Sequence, residues 1–147
     1  MHTEHVRNVH FGWVTGGWLL AVAILSVTWI VFVGMGLVDP GSRTTGVFMA
    51  AAVAVGFFGG GLFVGLRWAD APILHGAAMT FLSVLVWFIG NLLLPGRVSG
   101  RDLGLDAPAF VLGVILLQLA AAVTGGWTGR RMMMGGASGA GEEGSDG

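Results

Sequence analysis

The chain has 147 residues, of which 54% are hydrophobic and 10% charged, with a formal net charge of −1 and a mean hydropathy of +0.81. That balance excludes an ordinary soluble domain and leaves no basic surface for nucleic acid. Cysteine is absent, which removes disulfides, thiol catalysis and cysteine-ligated metals.

Residues 1–10 form a polar tail holding Arg7 and three of the four histidines, His2, His5 and His10. Span 1 follows over about 11–37 and is bulky and long, so it is expected to be a retained crossing rather than a cleaved signal peptide. Asp39-Pro40-Gly41-Ser42 ends it with strong turn chemistry, which makes spans 1 and 2 a hairpin. Span 2 covers about 46–66 and closes at Arg67-Trp68. Asp70-Ala71-Pro72 opens span 3, about 73–95, with an acid to accept amide hydrogens and a proline in the first turn. A polar loop with Arg97, Arg101, Asp102 and Asp106 leads to a second Asp-Ala-Pro triplet and span 4, about 108–128. Arg130 and Arg131 follow, and 132–147 is expected to be a flexible acidic tail rich in glycine and serine.

Each span exceeds the ~20 residues needed to cross a bilayer, and none carries a charge in its interior. The expected fold is an all-α integral membrane four-helix bundle of two hairpins, with one domain over 11–131. Four crossings bring both termini to one side, together with Arg7, Arg67, Arg130 and Arg131; Arg43, Arg97 and Arg101 lie opposite. The positive-inside rule then favours cytoplasmic termini in a bacterial inner membrane. Trp13, Trp68 and Trp127 at one face and Trp29 and Trp87 nearer the other suit an interfacial aromatic belt.

The 27 glycines are informative by spacing. Ala52, Gly56 and Gly60 recur every four residues, with Gly61 and Gly65 in an adjacent row; Ala121, Gly125 and Gly129 repeat the device in span 4, and Gly12 and Gly16 form a shorter groove in span 1. Small residues at this spacing let helix backbones approach, either within one monomer or against another protein or a second copy. Weak duplication supports two similar hairpins: Leu25-Ser26-Val27 matches Leu82-Ser83-Val84, and Gly60-Gly61 through Arg67 matches Gly125-Gly126 through Arg130.

Few polar groups enter the spans. Ser26, Ser83 and Gln118 lie near mid-span and are expected to hydrogen-bond across spans 1, 3 and 4, as packing bonds or as a solute-binding cluster. Thr15, Thr28, Thr80 and Thr124 can bond to carbonyls of their own helices. His75, just inside span 3, and His10 are the candidate cofactor ligands; the plainer expectation is that His75 is interfacial and bonds Asp70 or water. No cofactor or metal is predicted.

Gly16-Gly17-Trp18, Gly60-Gly61 with Gly65 and Arg67, Leu74-His75-Gly76-Ala77, and Gly125-Gly126 with Gly129-Arg130 resemble the YrzE-like family of four-span bacterial membrane proteins. The Asp70-Ala71-Pro72 insertion and the acidic tail depart from that pattern. The resemblance implies a four-helix bundle of unknown function and brings no catalytic residue.

A noncatalytic structural or accessory subunit is therefore expected, docking on other membrane helices, possible settings being a respiratory or photosynthetic complex. The alternative is a small homo-oligomeric channel or transporter. Unlike small multidrug exporters, such a protein would work without a membrane-embedded acid.

Overall fold

A computed structural model describes residues 10–38, 43–67, 71–93 and 108–139. They form four helices, α1 (Phe11–Gly34), α2 (Arg43–Arg67), α3 (Pro72–Leu93) and α4 (Pro108–Gly139), and no strand among the described residues. All four are long and apolar enough to cross a membrane. The 1–9 tail, the 39–42 turn, Trp68 to Asp70 and the 94–107 connection lie outside the described residues, so the expected acid caps and the polar loop do too.

Helix boundaries depart from the hydropathy limits for local reasons. α1 stops at Gly34, short of residue 37, because Gly36 takes φ +70°. The Gly36 amide then donates to Val33 O and the Leu37 amide to Phe32 O, both at 3.0 Å. That pair of bonds is a Schellman cap, which needs the left-handed conformation glycine adopts freely. α2 starts earlier than expected, at Arg43. At the far end, α4 runs to Gly139, which corrects the flexible tail expected from residue 132. Once a helix exists, each further residue adds a hydrogen bond without a new nucleation cost, and Arg130 to Met134 are good helix formers. Residues 140–147 lie outside the described residues.

α2 is the central helix, packed on α1 along one face and on α4 along another, with α3 against α4 and α1. Hydrophobicity contributes little between helices in lipid, so close backbone approach supplies the contact energy. A Cβ at Gly56 would lie 2.6 Å from Ala21 O, and one at Gly60 2.5 Å from Gly17 O. Both values are below any ordinary contact. Gly56 and Gly60 therefore seat α1, and Ala52, fully buried, continues their row.

The adjacent row meets α4. Gly61 faces the carbonyl of Ala122 and Gly65 that of Gly126, while Gly125 faces the carbonyl of Phe58 and Gly129 that of Leu62. Positions rise together along both helices, so α2 and α4 run parallel, as in two hairpins of one orientation. The contacts are also reciprocal. A shift of 64 residues carries Gly61 and Phe58 onto Gly125 and Ala122, and Gly65 and Leu62 onto Gly129 and Gly126. This near-twofold interface is what two duplicated hairpins would make.

Two expected packing glycines are elsewhere. A Cβ at Gly12 or at Gly16 would have nothing among the described residues within 4 Å, so these seat none of the described helices. The neighbouring Gly17 does, facing Gly60, Val64 and Met79. Gly76 plays the same part in α3, where a Cβ would meet Val123 Cγ2 at 2.7 Å.

Burial is uneven along the bundle. Val14, Gly17, Ala21, Phe57, Val64, Met79, Ala121 and Ala122 are buried in the half of the bundle toward Arg67 and Pro72, and Thr45 and Gly46 near the start of α2. Toward the opposite end, residues 84–89 of α3 are exposed in an unbroken run and most of α4's first half is exposed or half-buried. Glycine allows the tight end to close; bulky Val, Leu, Trp and Phe hold the other open.

Candidate functional site

Hydroxyl groups in the spans mostly satisfy themselves. Thr15, Thr28, Thr80 and Thr124 each donate to the carbonyl four residues earlier, at 2.8 to 3.0 Å. Ser26 does the same to Val22 O at 2.8 Å and is exposed, which corrects its expected interhelical role. Mid-span position sets a residue's depth but not the direction it faces, and Ser26 faces away from the bundle.

Ser83 is different. Its Oγ accepts a hydrogen bond from Trp18 Nε1 at 2.8 Å, tying α3 to α1 through a partner absent from the sequence expectation. Ser83 also lines a cleft of about 330 Å³ with Val84 and Trp87 of α3 and Val111, Val114, Ile115 and Gln118 of α4. The α4 residues fall at i, i+3, i+4 and i+7, a single helix face. Ser83 and Gln118 thus share one cleft, although no hydrogen bond joins them as expected. Bulky walls explain the space: where Gly76 meets Ala122 and Val123 the two helices touch, and beyond Thr80 no glycine lies on the facing surface.

His75 occupies the opposite, tight end. It is 2% exposed, correcting the expectation of a solvated interfacial imidazole. Ala71 O accepts both the His75 amide, at 3.1 Å, and ring Nδ1, at 3.0 Å. A carbonyl oxygen only accepts, so Nδ1 carries a hydrogen; in the neutral ring Nε2 is then an acceptor. That Nε2 is buried without a partner. Gly61, Gly65, Gly76, Gly126, Pro72 and Met79 close around it and leave no room for a water-sized sphere. The expected Asp70 partner lies outside the described residues, and the actual partner, Ala71, is held at φ +56° just before Pro72. Left-handed backbone costs a non-glycine residue ~1 kcal/mol, which the two His75 bonds to its carbonyl offset.

His10 is exposed at the start of α1, where its carbonyl accepts the amides of Trp13 and Val14. Exposed His10 and enclosed His75 thus have opposite surroundings. No group of three or more His, Cys, Asp or Glu side chains gathers among the described residues. Chemically, the described residues offer a closed histidine and an apolar cleft with a hydroxyl and a carboxamide.

No family model, no curated protein and no solved structure matches this chain.

Proposed function

We propose that this chain is a noncatalytic multi-pass membrane protein that acts as an accessory subunit, docking the outer face of α1 on a transmembrane helix of another protein. One observation carries the proposal: α1 buries only Val14, Gly17 and Ala21 of its 24 residues, and its Gly12 and Gly16 leave a notch that nothing among the described residues fills. The rows through Gly56 and Gly60, Gly61 and Gly65, and Gly125 and Gly129 are in close contact inside the monomer. A four-residue pair of glycines on an outward face suits close approach by a foreign helix. The cytoplasmic placement of both termini in a bacterial inner membrane belongs to the same proposal, on the strength of the arginine distribution.

Purification of the full chain in mild detergent tests it. The wild type is expected to bring down a partner that Gly16→Ile loses, while circular dichroism of the two is the same. A solitary wild-type protein that forms no photocrosslink from position 12 or 16 in cells would refute the proposal.

A further inference from the structure

The two polar side chains of the α3/α4 cleft keep hydrogen-bonding capacity that the fold does not use. Ser83 Oγ accepts from Trp18, yet its own hydrogen is not given to a carbonyl of its helix, in contrast to the threonines and Ser26. The Gln118 carboxamide has no hydrogen-bond partner among the described residues. In hydrocarbon no water is at hand, and unsatisfied polar groups there cost several kcal/mol each. Together they present three donor hydrogens and a single spare carbonyl acceptor, with no charged residue in the lining. Such a site suits an uncharged molecule with acceptor oxygens.

Size and depth narrow the class. At about 330 Å³ the cleft is at the low end of small-molecule sites, ~300 to 1,000 Å³. Ser83 is near the midpoint of α3, so at 1.5 Å rise per residue it lies ~15 Å from either membrane face. Ester carbonyls of glycerolipids stay at the faces, and an acyl chain reaching this depth would bring no oxygen. We propose that the cleft binds a bilayer-dissolved ring-carbonyl compound of the quinone class. Its oxygen accepts from Gln118 and Ser83, and its ring lies between the Trp87 indole and the branched side chains of Val111, Val114 and Ile115.

The test is a titration of the full chain in nanodiscs with a decyl-substituted benzoquinone, read by tryptophan fluorescence quenching. Saturable binding is expected, weakened about tenfold in Gln118→Leu, the loss of one hydrogen bond in an apolar site. Gln118→Met, which keeps the side-chain length, serves if the leucine variant does not fold. Decylbenzene, with the same chain and no carbonyl, is expected to compete at least tenfold more weakly. Quenching that never saturates, equal affinity in the Gln118 variants, or equal competition by decylbenzene would each overturn the proposal, the last by assigning the cleft to acyl chains. Because the cleft lining is drawn from α3 and α4, and Gly12 and Gly16 of α1 are not in it, the outcome is distinguishable from docking through those glycines.

Discussion

Replacing Gly60 by alanine places one methyl group where α1 and α2 touch. Its Cβ would lie 2.5 Å from Gly17 O, 2.8 Å from Ala21 Cβ and 3.1 Å from Met79 Cε. Ordinary contact begins near 3.4 Å, so relieving the backbone clash requires about 0.9 Å of separation between the helices. The methionine can swing aside, but the carbonyl is fixed by its helix. A gap of 0.5 to 1 Å forfeits roughly a quarter to a half of each dispersion well along the seam. Overpacking of this kind costs about 1–3 kcal/mol. Gly16→Ala is the matched control: its Cβ meets nothing within 4 Å, and alanine is the better helix former by up to ~1 kcal/mol. The assay is reversible unfolding in bicelles by added SDS, followed by tryptophan fluorescence. Gly60→Ala is expected to lower the unfolding free energy by about 1–3 kcal/mol and Gly16→Ala to leave it unchanged or raise it. Equal effects from the two substitutions would refute the assignment of Gly60 to a backbone seam.

Removing the Trp18 indole hydrogen bond by Trp18→Phe is expected to cost about 0.5–1.5 kcal/mol in the same unfolding assay, and Ser83→Ala a similar amount, with the double variant no worse than the larger single one. His75→Leu trades one ring hydrogen bond for release of a buried, unpartnered nitrogen, so its stability should stay within about 1 kcal/mol of wild type. A loss beyond ~3 kcal/mol would reveal a partner for Nε2. Fluorescent-protein fusions at the C-terminus are expected to be bright and phosphatase fusions there inactive, the pattern of a cytoplasmic terminus; the reverse pattern would invert the proposed orientation.

Hydropathy made the four helices legible, because a run of uncharged apolar residues has one outcome in lipid. The rows Ala52-Gly56-Gly60, Gly61-Gly65 and Ala121-Gly125-Gly129 were legible for a related reason: repeated small residues face one way on a helix, and in α2 two adjacent rows foretell two neighbours. Span 1 was ambiguous. Gly16 and Gly17 are consecutive, and only contact with Gly60 and Val64 selects Gly17 as the inward one. The same gap between depth and direction misplaced Ser26, whereas Ser83 and Gln118 at similar depth do converge on one cleft. The closeness of His75 to the span boundary suggests water, yet the side chain is enclosed. The α2 and α4 glycines instead let both helices close over that end. Nothing in the composition of 132–139 separates a helical extension from a tail; the helix already formed in α4 decides it.

Contacts between Gly61 and Ala122, and between Gly125 and Phe58, test the reciprocal α2/α4 seam most directly. Nuclear Overhauser cross-peaks in bicelles, recorded on uniformly labelled protein and on a mixture of differently labelled chains, separate contacts within a chain from those between chains. Both pairs are expected as strong cross-peaks within one chain. Their absence, or their appearance only between chains, would contradict a bundle whose glycine rows close on themselves.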